Sequence, residues 1–147
     1  MTIKYAVVFR GAPEQYEVWS SFKYLPVISV APVRRPKLDQ SGTKYSFEQE
    51  KALMLDKMRT VLRIAAWYQH KDICIGAFGI GPIFRNPARE VAEMWKSLFI
   101  DEEEFNGVFE NIVFAIESEE QGSPRGGASV HEIFNEVFAP SNLFGAP

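Results

Sequence analysis

Apolar residues gather into short runs, separated by polar stretches that carry glycine and proline. The first run, Tyr5-Ala6-Val7-Val8-Phe9, is rich in strand formers and stops at Arg10-Gly11-Ala12-Pro13, which predicts a strand over 5–9. Residues 14–24 mix polar and aromatic side chains without a period and read as a loop or ragged turn. Leu25-Pro26-Val27-Ile28-Ser29-Val30-Ala31 is uninterrupted rather than alternating. It predicts a strand over 26–31 covered on both faces and stopped by Pro32. Residues 32–45 carry two prolines, a glycine and five charged side chains, the composition of a surface loop.

From Ser46 the period changes. Met54, Met58, Val61, Leu62, Ala65 and Tyr68 recur at three- and four-residue spacing, predicting a helix over 46–69 with one apolar stripe. Ser46 and Gln49 form a capping-box pattern at its start. Lys71-Asp72 leads into a third strand over 73–78. Asn86 as N-cap and Pro87 as first helical residue open a helix over 87–99, whose buried face is Val91, Met94, Trp95 and Leu98. Asp101-Glu102-Glu103-Glu104 reads as a solvated turn, and 111–117 as a fourth strand. Residues 118–128, rich in Ser, Gly, Gln and Glu, predict a flexible loop. Ser129 with Glu132 then caps a helix over 129–138, ending before Pro140. There is no internal repeat.

Strands and helices alternate from residue 25 onward. That order predicts an α/β fold with a mainly parallel sheet flanked by helices, in a single domain spanning 1–147. Such sheets bind ligands at the carboxyl ends of their strands, here Ala31-Pro32 and Phe78-Gly79.

Composition narrows the function. With 147 residues, 46% of them hydrophobic, the chain is long enough to bury a core. A net charge of -3 argues against direct nucleic-acid binding. The one cysteine, Cys74, lies in an apolar run, so burial is expected and a disulfide framework is excluded. Two distant histidines and one cysteine do not make a metal site, and no cofactor is implied. No apolar stretch approaches the ~18 residues of a membrane span, and the start lacks a signal-peptide profile. The expectation is an intracellular protein, cytoplasmic or nuclear.

The segment Gly76-Ala77-Phe78-Gly79-Ile80-Gly81-Pro82-Ile83-Phe84 carries the chemistry. Glycines at a strand end let a backbone approach a ligand closely, and successive N–H groups there form an anion-binding concavity. Phe78 and Phe84 would be its apolar walls. The alternative is a tight bend that only lets the following helix pack. The spacing is neither the dinucleotide fingerprint nor a P-loop.

This segment, with Asn86-Pro87 and the Val91-Ala92 helix, resembles the second ligand loop of microbial-type poly(ADP-ribose) glycohydrolases of the macrodomain superfamily. Val8-Phe9-Arg10, Val27 to Pro32, Val113 to Ile116, and Phe134, Phe138, Asn142 and Phe144 follow the same order, so the resemblance covers roughly 4–144. It implies a three-layer, macrodomain-like fold in a truncated version, matching the C-terminal part of that family. It also implies that residues 76–84 hold the diphosphate and distal ribose of ADP-ribose, with Ala31 and Pro32 beside them. The implied partner is ADP-ribose or an ADP-ribosylated protein.

The family's catalytic signature, a glycine run followed by Gln-Glu-Glu, lies before the matched part. Glu48-Gln49-Glu50 echoes it only superficially, as it opens a helix with no glycine run before it. No catalytic residue is therefore assigned, and the chain alone is expected to lack hydrolase activity. Pro82 also lacks an N–H where the family carries one. The alternative is a structural or regulatory interaction domain that has lost the ligand site. A homodimer or protein partner would then cover an exposed sheet edge.

Other candidates have plainer readings. His70 and His131 lack a recognisable nucleophile partner. Arg34, Arg35 and Lys37 are either phosphate contacts or an exposed basic loop. Trp67, Tyr68 and Trp95 read as core or helix–sheet packing.

Overall fold

The computed structural model describes residues 2–11, 17–116 and 128–143. The chain divides into two compact units, Met1–Ala31 and Pro32–Pro147.

The first unit is a hairpin of β1 (Thr2–Arg10) and β2 (Val18–Ser29). The strands pair antiparallel from Thr2 opposite Ser29 to Val8 opposite Lys23, and a bulge before Arg10 opposite Val18 breaks the register. This corrects two expectations. Residues 18–24 are strand rather than loop, and β1 and β2 pair antiparallel. Pro26 is tolerated because a two-stranded sheet has only edge strands.

The second unit is built on helices. Its first helix, α1 (Glu48–Trp67), starts two residues later than its pattern predicts, and Phe47 rather than Ser46 is the N-cap, without a side-chain cap. The reason lies upstream. The Ser46 N–H donates to the Lys37 carbonyl at 2.8 Å, and Tyr45 bridges to Leu38, so both residues belong to the preceding loop. The helix buries Met54, Met58, Leu62 and Ala65, the expected stripe. Trp67 and Tyr68 leave that stripe at the helix end and are 83% and 58% exposed, so the expectation of core packing fails for both.

After it, β3 (Asp72–Gly76) and β4 (Asn111–Ala115) pair in parallel, from Asp72 opposite Asn111 to Gly76 opposite Ala115. Ile75 is buried, whereas Cys74 faces the opposite way and is exposed. The two-residue period of a strand, not the apolar run, decides its fate. The crossover between the strands carries α2 (Ala88–Ile100), which buries Val91, Ala92, Met94, Trp95 and Leu98. A short 3₁₀ turn, Glu103–Phe105, follows, with Phe105 buried. Glu102 there accepts hydrogen bonds from Arg59, and Glu104 accepts two from Arg63 at 2.6 and 2.8 Å. The acidic turn is thereby fastened to α1.

The third helix, α3 (Val130–Val137), has the expected capping box: Glu132 N–H donates to the Ser129 hydroxyl, and Ser129 N–H to the Glu132 carboxylate. One further turn, α4 (Pro140–Leu143), continues beyond it. The expected flexible loop over 118–128 lies outside the described residues, apart from Ala128.

Trp95 is the centre of the core. Its ring lies 5.9 Å from Phe99, 6.0 Å from Phe78 and 6.4 Å from Phe114. Phe114 in turn meets Phe134 and Phe138 at 5.2 and 4.8 Å. Edge-on and offset ring contacts of this kind add to area burial. Among the described residues no helix is long and apolar enough to cross a membrane.

Two outcomes follow from this packing. Trp95→Ala should lower stability by about 3–5 kcal/mol, while Trp67→Ala should change it by less than about 0.5 kcal/mol, both read from urea unfolding. The second concerns acid. The hydrogen bond from Arg59 holds the Glu102 carboxyl below its ordinary value. Its contribution is fully present above the unfolded carboxylate range near 4.3 and is lost as pH falls through the lowered folded value. Glu102→Gln should therefore flatten the decline in urea midpoint between pH 7 and about pH 3.

Candidate functional site

The glycine segment leaves β3 at Gly76 and makes two successive turns before α2. Phe78 N–H donates to the Gly76 carbonyl at 2.7 Å and Ile80 N–H to Ala77 at 3.2 Å. Phe84 and Arg85 N–H groups both donate to Gly81, at 3.2 and 2.9 Å, and Asn86 N–H reaches back to Gly79 at 2.9 Å. Ala77 N–H continues the parallel ladder beyond Gly76 opposite Ala115, whereas the N–H groups of Gly79, Gly81 and Ile83 donate to nothing among the described residues. Pro82 has no N–H to offer.

The loop has an inner and an outer side. Phe78 and Ile80 pack against the core, Phe78 edge-on to Trp95. Phe78 is half-buried, and one side of its ring is engaged with the core at Trp95. Ala77, Gly81, Pro82 and Ile83 are exposed, and Phe84 is half-buried. The three glycines differ. A Cβ on Gly76 or Gly81 would meet nothing within 4 Å. Gly79 is buried at φ +75°, and a Cβ there would lie 2.8 Å from both the Asn86 amide nitrogen and Pro32 Cβ. It is the position where only glycine fits.

Asn86 does not cap α2; Pro87 is the N-cap, with no side-chain hydrogen bond. The Asn86 side chain is 3% exposed, and its amide nitrogen donates to the Val33 carbonyl at 2.8 Å and the Gly79 carbonyl at 2.9 Å. Its oxygen accepts from the Tyr45 hydroxyl at 2.8 Å. Tyr45 N–H donates to Glu90 on α2, whose carboxylate also pairs with Lys51 on α1 at 3.1 Å. Burial, then the charges of Glu90 and Glu50, push the Tyr45 phenol well above its ordinary value, so it stays a donor.

The loop after Pro32 is held against the glycine segment from its other end, where Arg35 N–H donates to the Phe84 carbonyl at 2.6 Å. Arg35 and Arg85 both take left-handed backbone conformations, at φ +51° and +60°. The Arg34 and Arg35 side chains have no hydrogen-bond or ion-pair partner among the described residues. Lys37 lies over the Phe47 ring at 5.5 Å.

Of the residues singled out in the sequence, Pro32 and 76–84 come together in the second unit, while Ala31 ends the first. Glu48 opens α1, and the Glu50 carboxylate accepts the Lys37 N–H at 2.9 Å. His131 is exposed and contacts Asn135 on its own helix. The couple of buried Asn86 and half-buried Tyr45 was not legible in the sequence, because an Asn-Pro pair before a helix carries the stronger signal of a cap.

With this geometry in hand, known proteins supply the fold relationship. A poly(ADP-ribose) glycohydrolase from Thermomonospora curvata, bound to the inhibitor ADP-HPD, superposes with a TM-score of 0.70 at 26% identity. The overlap covers 90% of this chain and 46% of that one. A variant of the same glycohydrolase gives a TM-score of 0.69 at 27% identity, with the same coverage. One from Deinococcus radiodurans, in complex with ADP-ribose, gives 0.65 at 24% identity over 88% of this chain and 48% of that chain. The fold is macrodomain-like and resembles that of microbial poly(ADP-ribose) glycohydrolases. The chain spans about half the length of these relatives. No protein-family model and no curated protein sequence matches it.

The glycines make opposite predictions. Gly79→Ala should combine a left-handed backbone penalty of about 1–2 kcal/mol with an overpacking cost on the order of 1–3 kcal/mol. Gly81→Ala should stay within about 0.5 kcal/mol of the parent, both measured by urea unfolding.

Proposed function

We propose that the chain is an ADP-ribose- or ADP-ribosyl-binding module, with residues 76–84 and the adjoining Pro32 as its diphosphate and distal-ribose site. The observation that carries this reading is the glycine loop itself. Its N–H groups at Gly79, Gly81 and Ile83 have no partner among the described residues, and its outer residues are exposed beside a core that fixes the inner ones. Diphosphate oxygens are strong acceptors and complete such a set of donors. Fold likeness to glycohydrolases solved with ADP-ribose and with ADP-HPD supports the choice of ligand.

Hydrolysis of the ribosyl bond needs a placed acid. Glu50 is engaged with the Lys37 N–H, and nothing in the geometry directs Glu48 toward the loop. We therefore assign binding rather than hydrolysis to this chain. Loss of general acid catalysis alone forfeits a factor of roughly 10²–10⁴.

A second reading, a protein-interaction domain, is favoured by the hairpin, where Tyr5, Phe22 and Tyr24 are 74%, 53% and 67% exposed. On that reading a second copy or a protein partner covers the apolar strands.

Calorimetry decides between the two. The first reading expects heat with ADP-ribose, weaker binding of AMP, and at least tenfold weaker ADP-ribose binding in Gly81→Val, which crowds the outer side of the loop without a packing clash. Phe84→Ala should weaken binding more modestly, by on the order of 1–3 kcal/mol if the ligand covers the ring. No heat at millimolar ADP-ribose removes the ligand reading. Equal affinity for AMP keeps a nucleotide site but rejects its assignment to the diphosphate and distal ribose. Robust release of ADP-ribose from polymer by the purified chain would overturn the binding-only assignment.

A further inference from the structure

We infer that Asn86 and Tyr45 are positioning residues that set the shape of the glycine loop from its buried side. Two segments far apart in sequence meet at the Asn86 carboxamide: the loop 32–45, through the Val33 carbonyl and the Tyr45 hydroxyl, and the glycine loop at Gly79. The amide nitrogen uses both of its donors on carbonyls, at 2.8 and 2.9 Å, and the oxygen is oriented by the Tyr45 hydroxyl. The orientation of the carboxamide is therefore not free: a flipped amide would present its oxygen to two carbonyl oxygens and its nitrogen to a hydroxyl donor.

The same contact fixes Gly79. Its carbonyl is held by both the backbone and side-chain nitrogens of Asn86, at 2.9 Å each, while the carboxamide fills the space a Cβ would need. Holding that carbonyl fixes the Gly79–Ile80 peptide plane, and the left-handed φ of Gly79 then sets the plane before it, which carries the Gly79 N–H. Tyr45 is in turn held by Glu90 and by the bridge to Leu38, within a turn that Asp39 braces by accepting from the Thr43 and Lys44 N–H groups. The loop 37–46 is thus the seat on which the glycine loop is aligned. A buried, fully satisfied polar network of this kind specifies one arrangement where an apolar contact would allow several.

Hydrogen exchange on the free chain tests this without any ligand. Tyr45→Phe removes one hydroxyl and keeps the ring. It should speed exchange at the Ile80, Phe84, Arg85 and Asn86 amides about tenfold, the effect of one lost hydrogen bond on a local opening. Leu62→Ala, a core change on α1 away from the loop, should lower global stability while leaving those four rates unchanged. Asn86→Asp, which replaces the donor by an acceptor facing two carbonyls, should exceed Tyr45→Phe in the same assay if it folds. Unchanged loop rates in Tyr45→Phe, or an equal acceleration in Leu62→Ala, overturn the inference. A second arm rests on the proposed function: ADP-ribose should bind Tyr45→Phe about tenfold more weakly by calorimetry. Absence of heat with the parent chain removes the ligand reading, and the exchange result then stands or falls by itself.

Discussion

Asn86 is the one buried polar side chain among the described residues, and its carboxamide holds the glycine loop to the rest of the second unit. Burying an amide without partners costs a few kcal/mol, so its position is stable only where all its hydrogen bonds are made. Here they are made to Val33, Gly79 and Tyr45. The apolar groups around it follow from that arrangement. Gly79 must be glycine because the carboxamide and Pro32 occupy the space beside it, and Phe78 and Ile80 then face inward on either side. What remains outside is a short stretch of backbone with donors to spare.

The helices were legible because their apolar residues recur at a helical period and one side of each is buried. Met54, Met58, Leu62 and Ala65 on α1, and Val91, Met94, Trp95 and Leu98 on α2, lie where the pattern places them. The capping box of Ser129 and Glu132 was readable for a local reason, since both partners lie within one turn. The strand over 18–24 left no comparable trace. Its side chains are exposed along the whole segment, so no buried face imposes alternation on Trp19, Phe22 and Tyr24. The pairing that defines it is made by backbone groups, which are the same in every sequence.

The site was legible in part. Glycine spacing at a strand end located the loop, and the order of surrounding segments suggested a macrodomain-like fold, which the structural likeness bears out. The partners of Asn86 were not readable, because Val33 and Tyr45 lie far from it in sequence and two of the three partner groups are carbonyl oxygens that no residue type announces. A similar limit applies to Cys74, whose neighbours in sequence are apolar but whose side chain takes the outward phase of β3.

The two strand pairs also differ in how far apart their partners lie along the chain, and this bears on the order in which the protein folds. The β1–β2 hairpin closes a short connection, an event of microseconds for an isolated hairpin. The β3–β4 pair is parallel and encloses the glycine loop, α2 and the acidic turn. Loop-closure entropy must be met before those five paired positions stabilise anything. The glycine loop lies inside that closure, so pairing β3 with β4 carries the entropy of ordering the loop as well as that of the strands.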